Sequence, residues 1–326
     1  MLESSTTFTH DLQAAEPDVH LALTRAGVTG VDKVIRIAHA GTELLYYAEI
    51  DCFVDLDPGQ KGVHMSRFPE TVAECIDQVV IGEALHVEDL AEHMASRIVE
   101  RQKAVRSEVT IRAKFPITRT TPVSGLPTQE IYHLIGQALA NTSGARRMVG
   151  VEVRGLNACP CAQGLVRERA RDRLSEAGYD DGQIAEIFGM LPAATHNQRA
   201  EATLMVGTRR EIDARDLIAV AEESMSAPVF ELLKRPDELF VVEHAHLHPR
   251  FVEDSVRLMI AGAFDRYDDL SDGCFLLARQ VNHETIHNHD VLAERHGTVG
   301  ELRADIEHRS GGAPKHTTAR DWLESR

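Results

Sequence analysis

Four short segments carry most of the chemically capable side chains in this chain. They read KGVHMSRF at Lys61 to Phe68, ACPCAQ at Ala158 to Gln163, THNQRA at Thr195 to Ala200, and HETIHNH at His283 to His289. Three of them supply Cys, His and Glu, the side chains that ligate a catalytic transition metal. No one segment makes a site. Together they describe a site assembled by folding, and they favour a metal-dependent enzyme.

Cys159 and Cys161 flank Pro160. Two thiols one residue apart are poorly placed to share a zinc, for which a two-residue spacing is usual, so one of them is expected to act alone as thiolate ligand or nucleophile. Glu284 and His287 stand three apart, a spacing that puts both on one face of a helix, although a strand-to-loop setting also lets them converge. His283 and His289 raise the local ligand density. His196 precedes an apolar run, and Arg199 beside it suits bidentate contact with phosphate. Lys61, His64 and Arg67 form a basic cluster able to hold a triphosphate. Glu238 in LLKRPDE and Glu253 in RFVEDSVR are carboxylates set among basic residues. A carboxylate of that kind can accept the paired N–H groups of guanine or a pterin. Each segment has a plainer alternative: inert thiols at a turn, a solvated polar loop, a structural histidine, a surface helix with i,i+4 charge pairs.

The elements that must position these residues are legible in outline. VDKVIRIA and ELLYYAEIDCFVDL read as strands joined by the turn signal AGTE. Residues 69–80 and 87–104 have helical spacing. EVTIRAKFPITRT alternates as a strand and runs into TPVSG, EIYHLIGQALAN is strand or short helix, and ARRMVGVEVRGLNA is a strand leading into Cys159. Residues 164–189 read as helical. TLMVGTRR is a strand, DARDLIAVAEESM a helix capped by Asp213, residues 236–265 one or two helices, and DGCFLLARQVNH a strand. The expected architecture is α+β, with residues 1–30 as a peripheral arm, modules at 31–156 and 157–291, and a tail at 292–326.

The chain has 326 residues and a net charge of −16, which argues against nucleic acid as a main partner. Hydrophobic residues make up 43% and aromatic ones 5%, so the core must be mostly aliphatic. The dispersed acidity suits a salt-loving source. No apolar run spans a bilayer and no secretory signal opens the chain, so a cytoplasmic protein is expected, without membrane association. Five widely spaced cysteines read as reduced thiols. No Gly-rich phosphate loop occurs.

KGVHMSRF, TPVSG, CPC, HNQR, LLKRPDE, FVED and ExIHNH, in this order from about Asp32 to Asp290, resemble the type IB GTP cyclohydrolases, and within them the archaeal branch of the methanopterin and folate route. The resemblance implies a tunnelling fold of tandem antiparallel sheet-plus-helix modules, assembled as a homodimer or homotetramer. It implies GTP as substrate, formate and pyrophosphate as released products, and a dihydroneopterin 2′,3′-cyclic phosphate. It implies a metal held by Cys159, His196, Glu284 and His287, with Fe(2+) favoured and Mn(2+) or Zn(2+) compatible. Glu253 would anchor the guanine ring, and Glu238 would lie near the metal pocket. The chain departs from the bacterial pattern in having AQ after CPC, an insertion at 163–189, and residues beyond Asp290. An NADPH-dependent nitrile reductase of the same fold and a non-catalytic pterin- or purine-binding oligomer are the competing readings.

Overall fold

The computed structural model describes residues 12–39, 42–81, 86–307 and 316–325. The strands among them are β1 (Leu23–His39), β2 (Thr42–Leu56), β3 (Arg106–Thr120), β4 (Pro127–Asn141), β5 (Gly144–Ala158), β6 (Asn197–Gly207), the two-residue β7 (Ala227–Pro228), β8 (Phe275–His283) and β9 (Val291–Thr298). The helices are α1 (Arg67–Ile81), α2 (Val87–Gln102), α3 (Pro160–Glu176), α4 (Asp181–Met190), α5 (Ala214–Ser224), α6 (Arg235–Leu247), α7 (Val252–Arg266), α8 (Val299–Ile306) and α9 (Ala319–Glu324). The architecture is α+β, and the β1–β2, β2–β3, β5–β7, β6–β8 and β8–β9 ladders are antiparallel. The first strands and helices run β1, β2, α1, α2, β3, β4, and after β5 the helices α3 and α4 precede β6.

The chain forms two compact units. One comprises Met1–Ala113, Ile135–Met148 and Leu323–Arg326; the other comprises Lys114–Leu134 and Val149–Trp322. In the first, β1 pairs with β2 and β2 with β3, while α1 and α2 supply Phe68, Val72, Leu90, Met94 and Ile98 to an aliphatic core. In the second, β6 pairs with β8 and β8 with β9. Ala200, Ala202 and Leu204 of β6 are fully buried, as alternation along a strand with one covered face requires. Helices α5 and α7 bury Leu217, Ala221, Met259 and Ala263. Asp213 caps α5 through Arg215 N, as its sequence implied.

Several expectations are corrected. EIYHLIGQALAN, open between strand and short helix, is strand throughout, with its alternate residues Glu130, Tyr132 and Leu134 buried. Residues 23–30, expected in a peripheral arm, open β1; residues 1–11 lie outside the described residues, as do 40–41 of the AGTE turn. Residues beyond Asp290 are not a simple tail. β9 pairs with β8, α8 starts with a capping box between Thr298 and Glu301, and α9 buries Trp322 to 6% exposure. The Trp322 ring lies over Gly207, where an added Cβ would come within 2.6 Å of it, and its Nε1 donates to Gly273 O at 2.7 Å. RSGGAPK lies within 308–315, outside the described residues.

Two buried polar clusters brace the second unit. Asp237, fully buried in the first turn of α6, accepts from Val123 N (2.9 Å), Ser124 N (2.8 Å), Ser124 Oγ (2.6 Å) and Lys234 N (3.0 Å). This clasps the TPVSG turn. Burial opposes ionisation, but the Ser124 hydroxyl and the three backbone N–H groups outweigh it and hold the Asp237 carboxyl well below the usual carboxylate range. Nearby in sequence, Arg119 Nη1 donates to Tyr132 Oη at 2.6 Å and pairs with Glu222, to which Tyr132 also donates at 2.9 Å. Desolvation pushes the pKa of Glu222 and of Tyr132 up, against the pull of Arg119.

Candidate active site

Strand β5 ends at Ala158, and Cys159 is the N-cap of α3, with Pro160 at the first helical position and Ala162 N donating to Cys159 Sγ at 3.5 Å. The proline ends the strand and starts the helix in one step, which fixes the thiol at the junction. Cys161 falls on the exposed side of α3, so only Cys159 of the pair lines the pocket.

Hydrogen bonds fasten the other segments to this junction. Cys159 N donates to His196 O at 3.1 Å, and Thr195 Oγ1 donates to Cys159 O at 2.8 Å. Arg250 N donates to Ala158 O at 3.0 Å, which sets the start of α7 beside the strand end. Thr285 Oγ1 donates to Asn197 O at 3.1 Å, tying the β8–β9 connection to the start of β6. Gln163, part of the AQ departure, is buried and donates to Ala193 O (3.1 Å) and His246 O (2.7 Å), so the insertion helix is anchored to the site's own supports.

The resulting cavity of about 240 Å³ is lined by Cys159, His196, Glu253, Glu284 and His287 together with Gln198, Arg250, Asn282 and His289. The His196 and Glu284 side chains are 13% and 7% exposed, with Nδ1 and Oε2 3.8 Å apart. His196 Nδ1 is buried and makes no hydrogen bond among the described residues, and the same holds for Gln198 Oε1. Glu284 and His287 lie on the β8–β9 connection and not on a helix, and His287 stacks on His289 at 5.2 Å between centroids. No three His, Cys, Asp or Glu side chains among the described residues converge closely enough here to hold a metal ion.

The remaining sequence candidates are elsewhere. Arg199 is exposed on β6 opposite His283, which itself pairs with Asp290 at 2.8 Å. Glu238 is exposed on α6 and does not line the cavity; its neighbour Asp237 is the buried carboxylate. His64 and Arg67 belong to the first unit, where Arg67 Nη1 donates to Arg101 O at 3.2 Å and Gln102 Nε2 to His64 O at 3.0 Å. Sequence reasoning missed Gln198 and Asn282 as lining residues. The signal for them was strand alternation through HNQRA and QVNHE, which puts Gln198, Asn282 and Glu284 on one face. Two larger hollows in the first unit, of about 370 and 570 Å³, gather no thiol or imidazole.

Among the described residues, no helix is long and apolar enough to cross a membrane. A uricase from Arthrobacter globiformis superposes with a TM-score of 0.49 at 8% identity, covering 90% of this chain and 96% of that one. GTP cyclohydrolase MptA of Haloferax volcanii is 40% identical over 301 residues, 91% of this chain and 98% of that protein. The MptA of Methanococcus aeolicus is 39% identical over 305 residues, 91% and 99% of the two chains. A family model described as type I GTP cyclohydrolase folE2 matches residues 9–293. The chain belongs to the type I GTP cyclohydrolase family.

Proposed function

We propose that this protein is a metal-dependent GTP cyclohydrolase that opens the imidazole ring of guanine, releases carbon 8 as formate, and forms a 7,8-dihydroneopterin 2′,3′-cyclic phosphate with loss of pyrophosphate, as a first step of pterin biosynthesis. The observation that carries it is the convergence in one cavity of Cys159, His196, Glu253, Glu284 and His287 from four separate segments.

The residue types lining the cavity suit a divalent metal, and binding one would draw the donors closer together than they stand here. A buried imidazole nitrogen without a partner, beside a carboxylate too distant to accept from it, is an arrangement that a cation satisfies. Cys159, His196, Glu284 and His287 would hold it, and a thiolate, two imidazoles and a carboxylate suit Fe(2+), with Mn(2+) and Zn(2+) as compatible alternatives. When bound, the metal supplies Lewis acidity that lowers the pKa of water toward neutrality. Glu253, in the first turn of α7, accepts N1–H and the exocyclic amine of guanine through its two oxygens and so presents carbon 8 to the cavity. His196 serves either as a ligand or, with its ring nitrogen off the metal, as the group that accepts and returns protons as the ring opens. Arg250, which lines the cavity, is assigned to the triphosphate.

A cavity of about 240 Å³ is below the roughly 300–1,000 Å³ of sites that enclose drug-sized ligands. This supports a homo-oligomer in which a second copy completes the walls around GTP. The test is anaerobic incubation with GTP and ferrous iron, following formate and, after oxidation, pterin fluorescence. Chelator-sensitive formate with a cyclic phosphate by mass spectrometry is expected. Absence of turnover with iron, manganese or zinc overturns the reading.

A further inference from the structure

The register of the β6–β8 ladder pairs Arg199 with His283 and Ala200 with Asn282, so Gln198 stands opposite Glu284 at the end of the ladder. On β6 the covered face runs Gln198, Ala200, Ala202, Leu204. Only its last position before the cavity carries a polar side chain, and that side chain is 4% exposed. Gln198 Nε2 donates to Glu284 Oε1 at 3.2 Å. The orientation of the amide follows from its partner, since only the NH₂ end can donate to a carboxylate. The other carboxylate oxygen, Oε2, is then the one that faces His196 Nδ1. Gln198 Oε1 meanwhile is buried without a partner among the described residues, so of the two ends of the amide only the donor end is used, on a carboxylate that an apolar side chain would leave without it. The donor end is the part of the amide that contributes here.

We propose that Gln198 is the positioning residue of Glu284: it holds one carboxylate oxygen and thereby turns the other toward His196, fixing the pair for a divalent cation. This rests on the metal reading of the cavity. Residues that orient a ligand from behind typically contribute about 10–100-fold in metal affinity.

The test uses the full-length protein and Gln198→Leu and Gln198→Asn, the latter keeping the amide but falling one methylene short of Glu284. Mn(2+) binding is measured by equilibrium dialysis, alongside kcat and KM for GTP and the unfolding midpoint of the metal-free protein. The expected result is Mn(2+) affinity weakened about 10–100-fold in both variants, a lowered kcat, a KM for GTP within about twofold of the parent, and a nearly unchanged midpoint for Gln198→Asn. If Gln198→Leu does not fold, Gln198→Asn decides alone. Parental Mn(2+) affinity in Gln198→Asn, with or without a lowered midpoint, overturns the assignment and leaves the metal reading standing. A parent protein that binds no Mn(2+), Fe(2+) or Zn(2+) removes the metal reading, and the assignment with it.

Discussion

The second unit contains two kinds of buried polar cluster, and they differ in how completely they are satisfied. At Asp237 four donors meet two carboxylate oxygens, and at Glu222 an arginine and a tyrosine close on one carboxylate. These clusters are complete in the chain itself. At the cavity, His196 Nδ1 and Gln198 Oε1 are buried without partners among the described residues, and Glu284 Oε2 stops 3.8 Å short of the imidazole. Leaving a buried polar group unpaired costs about 1–3 kcal/mol, so such groups persist where something other than folding needs them. The closed clusters hold the structure, and the open one is where the proposed metal would bind.

The largest effect that could break this contrast is at Cys159. Its replacement by Ala is expected to lower formate release by about 10⁴-fold, equivalent to about 5 kcal/mol of barrier, while circular dichroism and unfolding stay close to the parent. An active variant would make the open cluster incidental. Next is Arg119→Met, which leaves Glu222 buried without its cation. A loss of about 3–5 kcal/mol in urea unfolding is expected, with Mn(2+) affinity of the folded protein retained; a drop in affinity at unchanged stability would blur the distinction between the clusters.

Asp237 sharpens the contrast through pH. Its folded pKa is depressed, so its stabilising contribution is present above the unfolded value of about 3.9 and is lost as pH falls toward the folded one. Unfolding midpoints of the parent should therefore decline below about pH 4. Asp237→Asn should be less stable near neutrality and show a flatter profile in that acidic window. Equal acid sensitivity of the two would contradict the clasp. The smallest effect belongs to the first unit. Lys103 terminates α2 in the left-handed region at φ +54°, and Lys103→Gly should raise stability by about 1 kcal/mol by removing the Cβ penalty, with no change in turnover.

Much of this was legible in the chain because periodicity reports which face of an element is covered. The strand entering Cys159, the Asp213 cap and the helices on either side of residue 250 follow from apolar spacing and from turn chemistry. What failed depended on contacts distant in sequence. The charged segment after Asp290 gives no local sign that Val291 to Thr298 will pair with β8, or that Trp322 will settle over Gly207. Asp237 and Glu238 are adjacent acids in one helical turn, and only the packing of the TPVSG turn decides that Asp237 faces inward. Gln198 escaped notice because an amide is not a metal ligand; its role appears only once the β6–β8 register sets it against Glu284.

The most direct measurement is anomalous diffraction from crystals of the protein loaded anaerobically with ferrous iron. The expected result is an iron peak in the cavity, within about 2.0–2.4 Å of the Cys159 sulfur, of ring nitrogens of His196 and His287 and of a Glu284 oxygen. An iron peak outside that cavity, or none in protein that releases formate from GTP, would contradict the assignment of the open cluster as the metal site.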